Sequence, residues 1–551
     1  MDATRLVLIM LLAVVASRLI ARAVRLPVPL IQIALGCGVF YSGLTSVALD
    51  PDVFFLLLLP PLLFLDGWRI PKDDLRRDAP TVVTLALGLV VFTVLGIGLL
   101  IHWLIPAVPL PVAFALAAVI SPTDPIAVSA IAGQTPLPLR MRRILEGEAL
   151  FNDASGLVCM RFAVAAALTG SFGLSQALLD FLWVASGGLG VGFAVTWLVT
   201  RARSSSPSVL VGDDGGAQIL ASVLIPFGVY LLAEALHCSG ILAAVAAGIT
   251  MGHSPHAHWQ AVTRIRRTAV WDTLQLLANG SVFVLLGEQI PSILAGAGET
   301  VRITGHHNPW WLGVYVLGIV IALAALRFAW VWASMKVAYL GMQSLVQTSH
   351  GQRWRVVAAM SVAGVRGAVT LAGVLTLPLA LSDGTPFPGR DLAIFLAAGV
   401  ILMSLLVATV LLPRALRGVV LPETSRVAEE EQARAWAAEA AIGAIERAQL
   451  ARLLPTSTSA GVDAGVYAAA ASRLIALYRQ QIDMDPCKAG AADRRHAADA
   501  IDSQLRLVGL RAERDEILLR AHDHRISDAT QARMVREIDL QEARYSGAQA
   551  G

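Results

Sequence analysis

Apolar runs of membrane-spanning length follow one another through most of this chain, and nothing else in the sequence constrains its fold as strongly. A helix that crosses the hydrocarbon core needs about 20 mostly apolar residues. Thirteen runs approach or exceed that length: roughly 4–24, 27–47, 53–68, 79–104, 110–134, 143–169, 177–200, 216–236, 238–253, 269–290, 309–341, 355–381 and 391–415. Only 15% of the 551 residues are charged, where a soluble globular chain carries about 25%. The chain reads as an all-α polytopic membrane protein. The first run opens on "LVLIMLLAVVAS", which resembles a signal-peptide core, but its apolar character continues into "RLIARAV"; it reads as the first transmembrane helix.

Loop charges test the count. Loops after odd-numbered runs hold Arg69, Lys72, Arg76 and Arg77, then Arg140, Arg142 and Arg143, then Arg201 and Arg203, then Arg264, Arg266 and Arg267, then Arg353 and Arg355. Loops after even-numbered runs hold almost none, with Arg302 and Arg390 the exceptions. By the positive-inside rule this puts the N-terminus outside and the C-terminus in the cytoplasm. Two domains follow: a transmembrane domain over 1–420 and a cytoplasmic helical tail over 421–551. In the tail "EEEQARAWAAEAAIGAIERAQLARLL" and "DSQLRLVGLRAERDEILLRAH" read as helices. Ser527 reads as a helix N-cap, and "LLPTSTSAGVDAG" as a loop. Four cysteines, Cys37, Cys159, Cys238 and Cys487, show no paired spacing and read as free thiols.

Ionisable residues inside spans are costly and usually mark ion or proton paths. Four stretches carry them. In "ISPTDPIAVSA" (120–130), Pro122 and Pro125 bracket Thr123 and Asp124. Proline removes a backbone donor and clashes one turn back, so the helix should unwind there. Unwound backbone is tolerated at membrane depth where it lines a cavity or is buried in protein. Its carbonyls are then available to a cation, and Asp124 is placed to cap the following half-helix. In "EGEALFNDASGLV" (146–158), Glu148 and Asn152 share one helix face and Asp153 projects beside it. Low dielectric disfavours a charged carboxylate. One such group can hold a proton or a monovalent cation, hardly both, and that competition couples the two movements.

In "SVAGVRGAVTLAG" (361–373), Arg366 stands between Gly364 and Gly367. It cannot lose its charge and so needs a partner; Glu148 is the candidate for a structural ion pair. In "LPPLLFLDGWRIP" (59–71), Asp66 faces an entry funnel or pairs with Arg69. Arg327 in the eleventh run also needs a buried partner, with Glu288 and Glu234 available. The two interrupted spans, the fifth and the twelfth, run in opposite directions. That is the arrangement of an inverted repeat whose site lies where broken helices cross. The histidines of "GHSPHAHW" (His253, His256, His258), with His306 and His307, read as ordinary loop residues. No nucleotide-binding loop is present; neither enzymatic chemistry, nor a cofactor, nor a nucleic-acid partner is expected.

"SPTDPIAVSAI", "EGEALFNDASGLV" and "GVRGAVTLA", in this order and spacing, resemble the monovalent cation:proton antiporter 1 family of sodium/proton exchangers, as does "LPPLLFLDGW". The resemblance covers about residues 5 to 420. It implies a dimer of 13-helix protomers in the bacterial cytoplasmic membrane, with a core domain that moves elevator-fashion. It makes Asp153 the carboxylate that binds ion or proton, with Na+ held at Asp153 and Thr123. Asn152 stands where electrogenic relatives carry a second aspartate, which implies exchange of one cation for one proton. Asp124 would satisfy a half-helix end, and Glu148 with Arg366 would form the structural pair. Ala149 stands where some members use a serine in ion binding. Aligned on "GW", the family's third-helix acid falls at Leu65, with Asp66 one residue on, a turn of about 100°.

The reading is a secondary transporter exchanging Na+, or another alkali cation, for H+. A K+/H+ exchanger, a membrane sensor signalling through its tail, and a channel are the alternatives. The intact Asn152–Asp153 pair and both broken helices weigh against a sensor, and a channel needs no carboxylate that alternates between ion and proton.

Overall fold

A computed structural model of the chain describes residues 2–24, 26–43, 51–70, 78–132, 138–169, 174–205, 215–253, 261–304, 306, 308–336, 350–380, 385–417, 424–453 and 464–482, with scattered positions between 509 and 542. Ser527, His256, His258, His307, Cys487, Lys72, Arg76 and Arg77 lie outside the described residues. The chain divides into two compact units, Met1–Leu421 and Pro422–Gly551.

The first unit is built of helices joined by short turns, and among its described residues the β-structure is one isolated bridge between Ala380 and Pro386. Its helices are α1 (Asp2–Val24), α2 (Val28–Tyr41), α3 (Pro51–Arg69), α4 (Ala79–Leu104), α5 (Leu110–Ile120), α6 (Pro125–Ala132), α7 (Leu139–Thr169), α8 (Leu174–Ser205), α9 (Gly215–Ala235), α10 (Gly240–His253), α11 (Ala261–Ala295), α12 (Ala297–Ile303), α13 (Trp310–Lys336), α14 (His350–Val362), α15 (Ala368–Leu375) and α16 (Arg390–Leu416). Each of the thirteen apolar runs falls on one of these helices or on a broken pair of them. Eight of the described helices are long and apolar enough to cross a membrane, and α2, α5 and α10 are shorter apolar helices. In the second unit α17 (Thr424–Leu453) packs on α18 (Ala464–Ile482).

Packing sorts the first unit into two bundles. α1, α2, α3, α8, α9, α10 and α11 contact mainly one another, as do α4 to α7 and α13 to α16. A helix that is apolar all round belongs inside protein. α5 is such a helix, buried from Val112 to Ile120 except at Phe114, and α10 is buried at Gly240–Gly248 and Met251.

Close backbone approach, rather than hydrophobic force, holds helices together where lipid is the solvent. The first bundle uses reciprocal glycines for it. A Cβ on Gly36 of α2 would collide with the Val284 carbonyl of α11, and one on Gly287 of α11 with the Ile33 carbonyl of α2. Cys37 donates its thiol to the Gly287 carbonyl in the same seam, at 3.1 Å. A Cβ on Gly248 of α10 would likewise strike the Phe64 carbonyl of α3.

Both predicted breaks are present. The fifth run is interrupted between α5 and α6 at residues 121–124, and the twelfth between α14 and α15 at residues 363–367.

Overpacking a tight contact costs about 1–3 kcal/mol. Gly36→Val should therefore lower the melting temperature of the detergent-purified protein. Gly38→Val, where an added Cβ meets nothing within 4 Å, should leave it nearly unchanged. Equal melting of the two variants would contradict this packing.

Candidate functional site

A break in a helix frees backbone donors and acceptors that lipid cannot satisfy. Here the two breaks satisfy each other. The Asp124 amide donates to the Val365 carbonyl at 2.7 Å, joining one broken segment to the other. Arg366 donates through Nε to the Ile120 carbonyl at the end of α5, at 2.9 Å, and through Nη1 to the Gly364 carbonyl. Its own amide donates to Ser404 Oγ of α16, at 3.2 Å. The Asp124 carboxylate accepts from the Ala127 amide in the first turn of α6, at 3.3 Å. It also packs against Gly367, the N-cap residue just before α15, so closely that any side chain there would overlap Oδ2. An anion thus serves the positive ends of two half-helices, and a cation the negative end of a third.

The buried ion pair differs from the sequence expectation. Glu148 pairs with Arg327 of α13, which reaches both carboxylate oxygens; Arg327 Nη2 lies 2.7 Å from Oε2, and Nη1 contacts Oε1. The two side chains are 1% and 3% exposed. Arg327 Nε also donates to the Met360 carbonyl near the end of α14, at 2.8 Å. The Glu148–Arg366 pairing is therefore corrected: Arg366 spends its guanidinium on carbonyls freed by the breaks, and the planar fork of Arg327 fits the carboxylate side-on. Glu234 and Glu288, the partners considered for Arg327, lie elsewhere. Glu234 meets Arg161 at 3.3 Å, and Glu288 accepts from Gln289 at 2.7 Å.

From this pair a polar chain runs to the opening stretch of α7. Thr123 Oγ1 donates to Glu148 Oε1 at 3.3 Å and accepts from Asn152 Nδ2 at 3.0 Å. Asn152 Oδ1 is buried without a hydrogen-bond partner. A buried amide oxygen in that state costs free energy, and a cation or water can relieve it.

In front of this network lies a cavity of about 50 Å³, room for an ion with a few waters. Asp153 lines it with Thr123, Asp124, Ala149 and Thr370 from one bundle, and Asp66 and Asn279 from α3 and α11 of the other. Asp66 thus shares a cavity with Asp153. Leu65, the alignment equivalent of the family's acid, is fully buried in a cluster with Phe64 and Trp271. The one-residue offset seen in the sequence therefore brings the acid into the cavity rather than away from it. The alternative pairing with Arg69 is not what forms: that guanidinium engages Asp272 and Gln275 of α11. Sequence reasoning missed Asn279, whose signal was an amide within the apolar run "LLANGSVFVLL", and it missed the role of Arg327.

Residues 7–418 match the family described as sodium/hydrogen exchanger, transmembrane. The chain belongs to that family. It is 40% identical over 546 residues, 98% of either chain, to an uncharacterized Na+/H+ exchanger of Escherichia coli K12. It is 44% identical over 420 residues to a Bacillus pumilus protein named a sodium, potassium, lithium and rubidium/H+ antiporter, covering 74% of this chain and 60% of that one. The fold resembles the sodium proton antiporter of Methanocaldococcus jannaschii solved at pH 8, with a TM-score of 0.58 at 19% identity over 76% of this chain and 99% of that one. The exchanger is thus a multi-pass membrane protein of a cation/proton antiporter family.

Removing one side of a buried pair leaves an uncompensated charge, at a cost of about 3–5 kcal/mol. Arg327→Met should therefore lower melting temperature and yield sharply, and Glu148→Gln added to it should restore much of the loss. A double variant no more stable than Arg327→Met alone would contradict the pairing.

Proposed function

We propose that this protein exchanges Na+, or another alkali cation, for H+ across the bacterial cytoplasmic membrane, with Asp153 taking either ion in turn. The observation that carries this reading is one cavity, at the crossing of two broken helices, that holds Asp153 and opens between two bundles. A carboxylate there needs a counter-charge. A proton and a small cation each supply one, and each displaces the other. Thr123 and the unpartnered Asn152 Oδ1 stand beside it as neutral oxygens for the cation, with Na+ held chiefly by Asp153 and Thr123. Asp124 holds the helix ends, and Asp66 draws cations toward the cavity from the opposite wall.

Asn152 carries no charge, so only one of the adjacent pair changes charge in a cycle; this supports electroneutral exchange of one cation for one proton. Thr123, Asp124, Asn152 and Asp153 all belong to the bundle of α4–α7 and α13–α16. Asp66 and Asn279 belong to the other. Movement of the first bundle against the second would carry the site from one face to the other, the elevator mode of alternating access. The loop arginines support a cytoplasmic C-terminal tail, and the family resemblance supports a homodimer. The breadth of cations in the name of the Bacillus relative favours K+ and Li+ as further substrates.

The test uses purified protein in liposomes loaded with a pH-sensitive dye. Adding Na+, Li+ or K+ should collapse an imposed pH gradient, at a rate that an imposed membrane potential leaves unchanged. Asp153→Asn keeps the shape and removes the charge; it should fold, melt like the parent and exchange no faster than empty liposomes. Sustained exchange by that variant would overturn the role of Asp153, and a strong dependence on potential would overturn the one-for-one stoichiometry.

A further inference from the structure

A second cavity, of about 580 Å³, lies further along α7 toward its C-terminal end. The two share no lining residue, and they divide α7 cleanly. The small cavity takes Ala149 and Asp153; the large one begins at Ala154 and continues through Leu157 and Arg161. They divide α3 in the matching sense, with Leu59, Leu62, Leu63 and Asp66 on the small cavity and Leu56 on the large. The large cavity also lies between the bundles. α7 and Thr376, just beyond α15, form one wall, and Tyr230 and Glu234 of α9 belong to the other.

One ion pair crosses this space. Arg161 Nη2 of α7 lies 3.3 Å from Glu234 Oε1 of α9. The same oxygen accepts from the Gly240 amide at the start of α10, at 3.2 Å. Glu234 is therefore fixed to its own bundle and keeps a partner when Arg161 leaves. Arg161 is 53% exposed and loses little by returning to water. An exposed pair of this kind shifts an equilibrium only a few-fold, strong enough to bias a conformation and weak enough to break in each cycle.

We propose that the larger cavity is the second half of the ion route, from Asp153 to the membrane face opposite the Asp66 side, and that Arg161–Glu234 is the latch holding it in the arrangement seen here. The ligand class is a hydrated monovalent cation, which passes once Arg161 withdraws from Glu234. The inference rests on the antiport reading of Asp153, and it assigns Arg161 no part in binding the ion at Asp153.

The experiment starts from full-length protein in which Cys37, Cys159, Cys238 and Cys487 are replaced, carries Arg161→Cys with Glu234→Cys, and is reconstituted in dye-loaded liposomes. A short bifunctional thiosulfonate, which joins two thiols through cleavable disulfides, should stop exchange, and reduction should restore it. Unchanged exchange by fully cross-linked protein would overturn the latch. Exchange before cross-linking shows that the antiport reading itself holds; its absence there and in the parent sinks that reading and the latch with it. A second measurement serves if the double variant folds poorly or, unlike the parent, does not exchange. In the same cysteine-replaced background, a Leu157→Cys probe should react several-fold faster with a membrane-impermeant thiol reagent when Arg161→Gln is added. An unchanged labelling rate would overturn the proposal.

Discussion

Broken backbone inside a membrane is admissible only if something other than lipid satisfies its polar groups, and this exchanger is organised around that demand. The amide of Asp124 on one broken segment meets the carbonyl of Val365 on the other. Arg366 takes the carbonyl left at the end of α5, and Arg327 the carbonyl of Met360 near the end of α14. Each arginine is a buried charge that has to be balanced, and Glu148 balances Arg327 in the bidentate geometry that makes such a pair tolerable. Glycine at 367 follows from the same geometry, because the Asp124 carboxylate occupies the space where a side chain would be. The charged residues that look extravagant in an apolar sequence are what allow two helices to stop and restart at membrane depth.

With the structural charges committed to one another, Asp153 is left to the cavity. Its neighbour Asn152 is tied to Thr123 through Nδ2, and Thr123 is tied to Glu148. The scaffold therefore reaches to within one residue of the carboxylate proposed to bind the ion, which lines a cavity between the bundles. A rigid site at a boundary between bundles would suit the proposed exchange, in which one group faces two solutions in turn. The two cavities, which meet α7 on either side of the Asp153–Ala154 step and share no lining residue, fit the same logic.

Much of this was legible in the sequence because apolar run length, proline placement and charge inside spans each have a direct physical consequence. The thirteen runs fall on helices, and the proline pair at 122 and 125 marks the first break. Asp124 caps α6 as its position between those prolines suggested. The partner of Glu148 was not legible. Choosing between Arg366 and Arg327 requires knowing which carbonyls the breaks leave unpaired, and that depends on how the two segments cross. Asp66 was ambiguous for a related reason: an offset of one residue turns a side chain by about 100°, and only the packing of Leu65 against Phe64 and Trp271 decides which way the acid points. Asn279 lay outside every motif, on a helix that reaches the cavity only in the folded bundle.

The central claim is that one carboxylate exchanges a proton for a cation, and proton release on cation binding tests it most directly. Purified exchanger in weakly buffered detergent solution, titrated with Na+ while pH and heat are recorded, should release one proton for each cation bound. The release and the binding should disappear together in Asp153→Asn. Cation binding without proton release, or release that survives the loss of Asp153, would contradict the account.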